Sequence, residues 1–255
     1  MLQIHPIPAF SDNYIWLLHD EKRACVVDPG DAAPVIETLE RLGLPLSDVL
    51  ITHHHFDHVG GLSTLRERYA PTVYGPVNPQ IDGIDRPLQA GEQIAVLGST
   101  FDVMEVPGHT LDHIAYFRAA EPPVLFCGDT LFAGGCGRLF EGDPPTMLSS
   151  LRSLAALPAS TKVYCAHEYT LANLEFARAV EPDNSDLALR FTQAQASRAR
   201  GKPTVPSELA LELATNPFLR CDTPALVDSL RKQGRLEGDG AAEVFATVRG
   251  WKDQF

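Results

Sequence analysis

Cysteines are few in this chain, and they do not form a pattern. Five occur in 255 residues, Cys25, Cys127, Cys136, Cys165 and Cys221, an odd number with no Cys-x-x-Cys pair. That argues against a disulfide framework and for a reducing compartment. Cys25, Cys127 and Cys165 lie inside apolar, strand-like runs and read as buried, inert thiols. Positive charge is also scarce. Lys and Arg number 21 against 33 Asp and Glu, for a net charge of -12. Such a balance disfavours a general binder of nucleic acid or membrane surface, and an anionic small substrate would need a local basic pocket. No apolar run approaches transmembrane length, and Met1 to Phe10 lacks a basic stretch and is broken by Pro6 and Pro8. The chain therefore reads as cytoplasmic and soluble. Repeats, low-complexity tracts and a Ser-His-Asp or Cys-His arrangement are all missing.

What the sequence has instead is histidine in telling places. His53-His54-His55-Phe56-Asp57-His58 follows the apolar run Val49-Leu50-Ile51 directly. Three more donors recur at the ends of strand-like runs. His109 follows Phe101–Val106, Asp129 follows Val124–Cys127, and His167 follows Val163-Tyr164-Cys165. Ligands just beyond strand ends have rigid bases. Alternation along an extended segment lets His53 and His55 face one ion while His54 points away. Asp57 and His58, where the loop turns into a helix, can reach a second position. Imidazole with a few carboxylates favours zinc, iron or manganese over calcium or magnesium. Seven donors exceed the three protein ligands of a simple catalytic zinc, which suggests two divalent ions with Asp129 as the bridging carboxylate. His5, His19 and His54 read as ordinary surface or core residues, and His113 as structural or supporting. Asp28, at a strand end, is as readily a turn residue as a supporting one.

The first two-thirds of the chain alternate strand and helix signals. Strands are expected at Asn13–Leu18, Ala24–Val27, Val49–Ile51, Gln93–Val96, Phe101–Val106, Ile114–Phe117, Val124–Cys127 and Thr161–Cys165. Helices are expected at Ala32–Leu42, Leu62–Tyr69 and Pro144–Leu157, the first capped by Asp31 and ended by Gly43. Pro71 to Gly91, rich in Pro, Gly and Asp, reads as turns. From Leu171 onward the pattern is helical, with capping signals at Ser185, Ser207 and Thr223. The expected organisation is an α/β domain over residues 1–169 and a small helical domain over 170–255.

The chain resembles a known family at the residues just described. Thr52 to His58 matches the His-x-His-x-Asp-His signature of metallo-β-lactamase-fold hydrolases, and Pro107-Gly108-His109-Thr110 and Gly128-Asp129-Thr130-Leu131-Phe132 match later motifs of that superfamily. A finer resemblance is to glyoxalase II, the hydroxyacylglutathione hydrolases. It rests on Gly134 to Gly142, Ala166-His167-Glu168-Tyr169-Thr170 with Asn173, Asn216-Pro217-Phe218-Leu219-Arg220, and Lys252-Asp253-Gln254-Phe255.

The resemblance implies an αββα sandwich followed by a small all-α glutathione-binding domain. It gives His53, His55 and His109 to one metal, Asp57, His58 and His167 to the other, and Asp129 to both. It assigns the glutathione moiety to Arg138, Phe140, Tyr169, Arg249 and Lys252. Arg249 and Lys252, three apart, share a helix face. Phe140 stands where the family often has tyrosine, and Asp112 where glycine is common. The implied reaction is hydrolysis of S-(2-hydroxyacyl)glutathione thioesters such as S-lactoylglutathione by a metal-bridging hydroxide, the second step of methylglyoxal detoxification, in a monomer. Asp57 and Asp129 are the implied catalytic residues. The alternative is a glutathione-persulfide dioxygenase with a single iron. A lactonase or β-lactamase, or a non-enzymatic binder of glutathione conjugates, fits the sequence less well.

Overall fold

A computed structural model describes residues 2–238 and 240–255. The chain divides into two compact units, one of residues up to Glu105 with Asp112–Gly128, the other of Val106–Leu111 with Asp129–Phe255.

The first unit runs β1 (Gln3–Ala9), β2 (Asn13–His19), β3 (Ala24–Val27), α1 (Ala32–Leu42), β4 (Leu46–Leu50), α2 (Phe56–Val59), α3 (Leu62–Tyr69), β5 (Thr72–Pro76), β6 (Arg86–Leu88), β7 (Gln93–Val96), β8 (Ser99–Glu105), β9 (Ile114–Arg118) and β10 (Val124–Gly128). Strands β1 to β6 form a mixed sheet in sequence order, antiparallel from β1 to β3 and parallel from β3 to β6. Helix α1 starts as its sequence demands. The Asp31 side chain accepts from the Ala33 amide at 2.9 Å, and Gly43 ends the helix at φ 67°. Its Val35 and Leu39 pack with Leu62 and Leu65 of α3 against Val26, Val49 and Val73 of the sheet. Strands β7 to β10 form an antiparallel meander. The Tyr116 hydroxyl of β9 donates to the Ile51 carbonyl at 2.7 Å, which ties the meander to the end of β4.

One strand has no counterpart among those expected, and one expectation needs correction. β1 holds Pro6 and Pro8 at the edge of its sheet, where proline is tolerated. The span from Pro71 to Gly91 is not all turn, because β5 and β6 extend the parallel ladder. Pairing with β4 outweighs the local Gly and Pro content of that stretch.

The second unit runs β11 (Leu131–Phe132), β12 (Gly135–Cys136), α4 (Pro144–Ala155), β13 (Lys162–Cys165), α5 (Thr170–Val180), α6 (Ser185–Arg198), β14 (Ser207–Glu208), α7 (Leu209–Thr215), a 3-10 turn (Pro217–Leu219), α8 (Pro224–Lys232) and α9 (Ala241–Lys252). The helical pattern beyond residue 170 holds, except that β14 pairs antiparallel with β13. Ser207 thus sits in a strand and caps no helix, and α6 is capped one residue earlier than expected, by the Asn184 side chain at 3.1 Å from the Leu187 amide. Among the described residues no helix is long and apolar enough to cross a membrane.

Candidate metal centre

Strands β3 and β4 are parallel neighbours with Val27 opposite Leu50, so the residues following them emerge together. Asp28, held at φ 53°, turns back toward the loop after β4. One carboxylate oxygen accepts from the Thr52 amide and the other from the Thr52 hydroxyl, both at 2.8 Å. The second oxygen also lies 3.0 Å from His58 Nδ1. Asp28 therefore fixes the start of the histidine loop and one of its donors. A carboxylate oxygen this close to Nδ1 favours the proton there, which leaves the His58 Nε2 lone pair for a metal.

The loop then delivers its donors as alternation predicts. His53 Nε2 and His55 Nδ1 lie 3.1 Å apart. Asp57 Oδ2 lies 3.5 Å from His58 Nε2 and accepts from Asn13 Nδ2 at 2.9 Å. His54 turns away to Asp112, at 3.0 Å, and Asn78 donates to the other Asp112 oxygen at 2.7 Å. His113 is fully buried, stacks on His53 with centroids 4.6 Å apart, and lies 3.1 Å from the Ile114 carbonyl through Nδ1. His113 takes the structural place expected of it, while His54, read as an ordinary surface or core residue, pairs with Asp112. Asn13 gives no signal in the sequence, where it is only the first residue of a strand. Asp28 gives half of one, a turn aspartate at a strand end.

The loop depends on Gly30. A Cβ there would stand 1.8 Å from the Asp57 carbonyl oxygen, so the backbone carrying Asp57 rests directly on this glycine. Gly30→Ala is expected to destabilise the fold by roughly 1–3 kcal/mol or more and to lower metal content. Calorimetry with metal analysis checks it, and a wild-type melting temperature would contradict the packing described.

The second unit gathers the other three donors around one carboxylate. Asp129 Oδ2 lies 3.5 Å from His109 Nε2, and Oδ1 lies 3.3 Å from His167 Nε2. His109 Nδ1 donates to the Arg138 carbonyl at 2.7 Å, which leaves Nε2 as its ligand atom. Gly137 permits this approach, since a Cβ there would lie 2.0 Å from the Asp129 carbonyl oxygen. Tyr169 stacks on His167 with centroids 4.7 Å apart, and Phe140 meets His109 edge-on at 5.3 Å.

The donor set fits divalent ions. Two nitrogens bound tetrahedrally at 2.0–2.1 Å would lie about 3.3 Å apart, and the donor pairs within each unit are separated by 3.1–3.5 Å. Thiols do not compete for this role. Burial pushes the Cys136 thiol up to about 11 and the Cys165 thiol up to about 12, so both stay protonated at neutral pH.

The cationic residues divide. Arg138 is exposed, with Nε 3.5 Å from Asp253 Oδ1. Arg249 is buried, and its guanidinium donates to the Cys136 carbonyl at 3.1 Å and to Asp253 Oδ1 at 2.9 Å. The two arginines thus share one carboxylate. Lys252 donates to the Ala172 carbonyl at 3.2 Å. Burial lowers its pKa, and the neighbouring Arg249 charge lowers it further.

Residues 9–167 match the description "Metallo-beta-lactamase superfamily", and residues 168–255 match "Hydroxyacylglutathione hydrolase C-terminus". Solved structures agree on the fold. BLEG-1 B3 metallo-β-lactamase gives a TM-score of 0.64 at 25% identity, over 86% of this chain and 99% of that one. TTHA1623 in a di-iron-bound form gives 0.61 at 26% identity, over 84% of this chain and 100% of that one. Fold and donor set together define a metal-dependent hydrolase of the metallo-β-lactamase superfamily, with a helical C-terminal region. Two curated relatives narrow this. The hydroxyacylglutathione hydrolase of Pseudomonas aeruginosa (strain LESB58) is 55% identical, and that of Chromohalobacter salexigens 53% identical, each over 100% of both chains. The chain belongs to the hydroxyacylglutathione hydrolase family, glyoxalase II. These relatives do not favour the dioxygenase alternative.

Proposed function

We propose that this protein hydrolyses S-(2-hydroxyacyl)glutathione thioesters, such as S-lactoylglutathione, to glutathione and a 2-hydroxy acid, the second step of methylglyoxal detoxification. The observation that carries the reading is Asp129, whose two oxygens each face a different histidine Nε2, the arrangement of a bridging ligand. In this reading His53, His55 and His109 would hold one divalent ion, Asp57, His58 and His167 would hold the other, and Asp129 would serve both. Zinc is the first choice, with iron and manganese compatible with the same donors. When bound, such a pair supplies an acidified water as nucleophile and a Lewis acid for the carbonyl oxygen.

The chain's own residues do the rest. Asp57, steadied by Asn13, orients the attacking water as well as binding metal. Arg138 and Lys252 offer cations to the glutathione carboxylates, with Tyr169 and Phe140 as walls. Arg249 acts through its neighbours, holding Cys136 and Asp253 so that Arg138 is presented to the ligand. No general acid is required for the leaving group, since a thiol with a pKa of about 8.5 departs readily as the thiolate. The reading divides the chain near residue 170 into catalytic and glutathione-binding domains. It has the enzyme act as a monomer, and in the cytoplasm, for which five buried thiols outside any disulfide are the support.

Steady-state assays on S-lactoylglutathione, with oxygen uptake followed on glutathione persulfide in parallel, test the reading. Thioester hydrolysis without oxygen uptake is expected, and the reverse would overturn it. Position 140 gives a finer check. Phe140 is 62% exposed, and Phe140→Tyr is expected to lower KM about two- to tenfold, the worth of one added hydrogen bond. An unchanged KM would mean that this side chain does not reach the substrate.

A further inference from the structure

The helices after residue 170 do more than offer surface to a ligand. They hold, by buried side chains, the backbone of the hairpin β11–β12 between Asp129 and Arg138. The hairpin is tight, with Phe132 opposite Gly135. Asn216, at the end of α7, donates through Nδ2 to the Phe132 carbonyl at 3.2 Å and the Gly135 carbonyl at 2.9 Å. Glu212, one helical turn earlier, accepts from the Gly134 amide at 2.8 Å. Asn173 of α5 donates to the Ala133 carbonyl at 3.3 Å. Arg249 of α9 takes the Cys136 carbonyl. Every residue from 132 to 136 is thus gripped through its backbone.

The grip is itself braced. Glu212 and Asn216 are fully buried, and Glu212 is ion-paired with the buried Arg190 and accepts from the Ser207 hydroxyl. The Asn216 carbonyl oxygen of the side chain accepts from the Phe218 amide at 3.1 Å. A surface loop that only closed over substrate would not need a buried ion pair behind it.

The hairpin in turn borders each donor of the second unit. Asp129 lies two residues before β11. Gly137, just past β12, donates its amide to the Thr130 carbonyl at 3.2 Å, and the next residue supplies the carbonyl that fixes His109. Phe132 packs edge-on against His167 at 5.8 Å.

We propose that Asn216 and Glu212 are positioning residues for the metal centre, acting through the 132–136 hairpin on Asp129, His109 and His167. The helical region is then part of the metal site's framework and not only a substrate-binding appendage. This rests on the binuclear reading above.

Metal affinity in place of turnover is the readout. Zinc affinity of stripped protein is measured by competition with a chromophoric chelator for wild type, Asn216→Ala and Leu230→Ala. Leu230 is fully buried in α8 and takes part in none of the hydrogen bonds just described, so its variant reports the cost of general destabilisation. Asn216→Ala, which removes two buried hydrogen bonds behind the hairpin, is expected to weaken at least one zinc site about tenfold. Leu230→Ala should leave both sites within about twofold of wild type. If Asn216→Ala does not fold, Asn173→Ala carries the same test at one carbonyl, with a weakening of about threefold or more expected. Wild-type affinity in the Asn variant, or equal weakening in the Leu variant, overturns the proposal while leaving the binuclear reading intact. A wild-type protein that binds neither zinc, iron nor manganese ends both.

Discussion

Asp129→Asn is expected to reduce thioester turnover at least a hundred- to a thousandfold, the scale of losing one preorganised electrostatic group, and to lower bound metal below two ions per chain. The substitution keeps the side chain's shape, so packing is not the cause. What changes is the second oxygen. The carboxylate faces His109 Nε2 with one oxygen and His167 Nε2 with the other. An amide presents a nitrogen with two protons to one of those imidazoles, which accepts a hydrogen bond where it should donate its lone pair to an ion. It also removes the negative charge that would keep two cations close. Metal analysis and steady-state kinetics on the same preparation check this. Two ions per chain with wild-type turnover would exclude Asp129 as the bridge.

The next largest effect is expected at Asp28, a residue outside the donor set. Asp28→Asn suits the left-handed backbone there, at φ 53°, as well as aspartate does. Its amide oxygen can still accept from the Thr52 amide. Its amide nitrogen, however, now faces His58 Nδ1, which lies 3.0 Å from the wild-type carboxylate oxygen. Two N–H groups cannot share that contact, so His58 shifts its proton to Nε2. That nitrogen is the one aimed at the ion, and a protonated nitrogen has no lone pair to give. Metal affinity at one site should fall about 10- to 100-fold, with little loss of melting temperature. Chelator competition and calorimetry separate the two effects. A large thermal loss with unchanged metal affinity would make Asp28 a structural residue only.

Legibility in the sequence follows from where the physics is local. The four donors of the first unit fall within six residues, and alternation along an extended segment is enough to sort His53 and His55 from His54. Helix α1 is legible to the residue because Asp31 and Gly43 are its own caps. β1, β5 and β6 are not, since Pro6, Pro8 and the Gly- and Pro-rich stretch are tolerated only through the strands that pair with them. Arg249 shows the same limit at a side chain. An arginine and a lysine three apart on a terminal helix look like a solvated face, yet one is buried against Cys136 and Asp253. Nothing within twenty residues of Asn216 or Glu212 announces the hairpin they hold, because its partners lie about eighty positions earlier.

The most direct test of the account titrates metal back into stripped protein. Chelation should abolish hydrolysis of S-lactoylglutathione, and added zinc should restore it in step with two equivalents bound per chain. Full hydrolytic activity in protein free of metal would contradict the account.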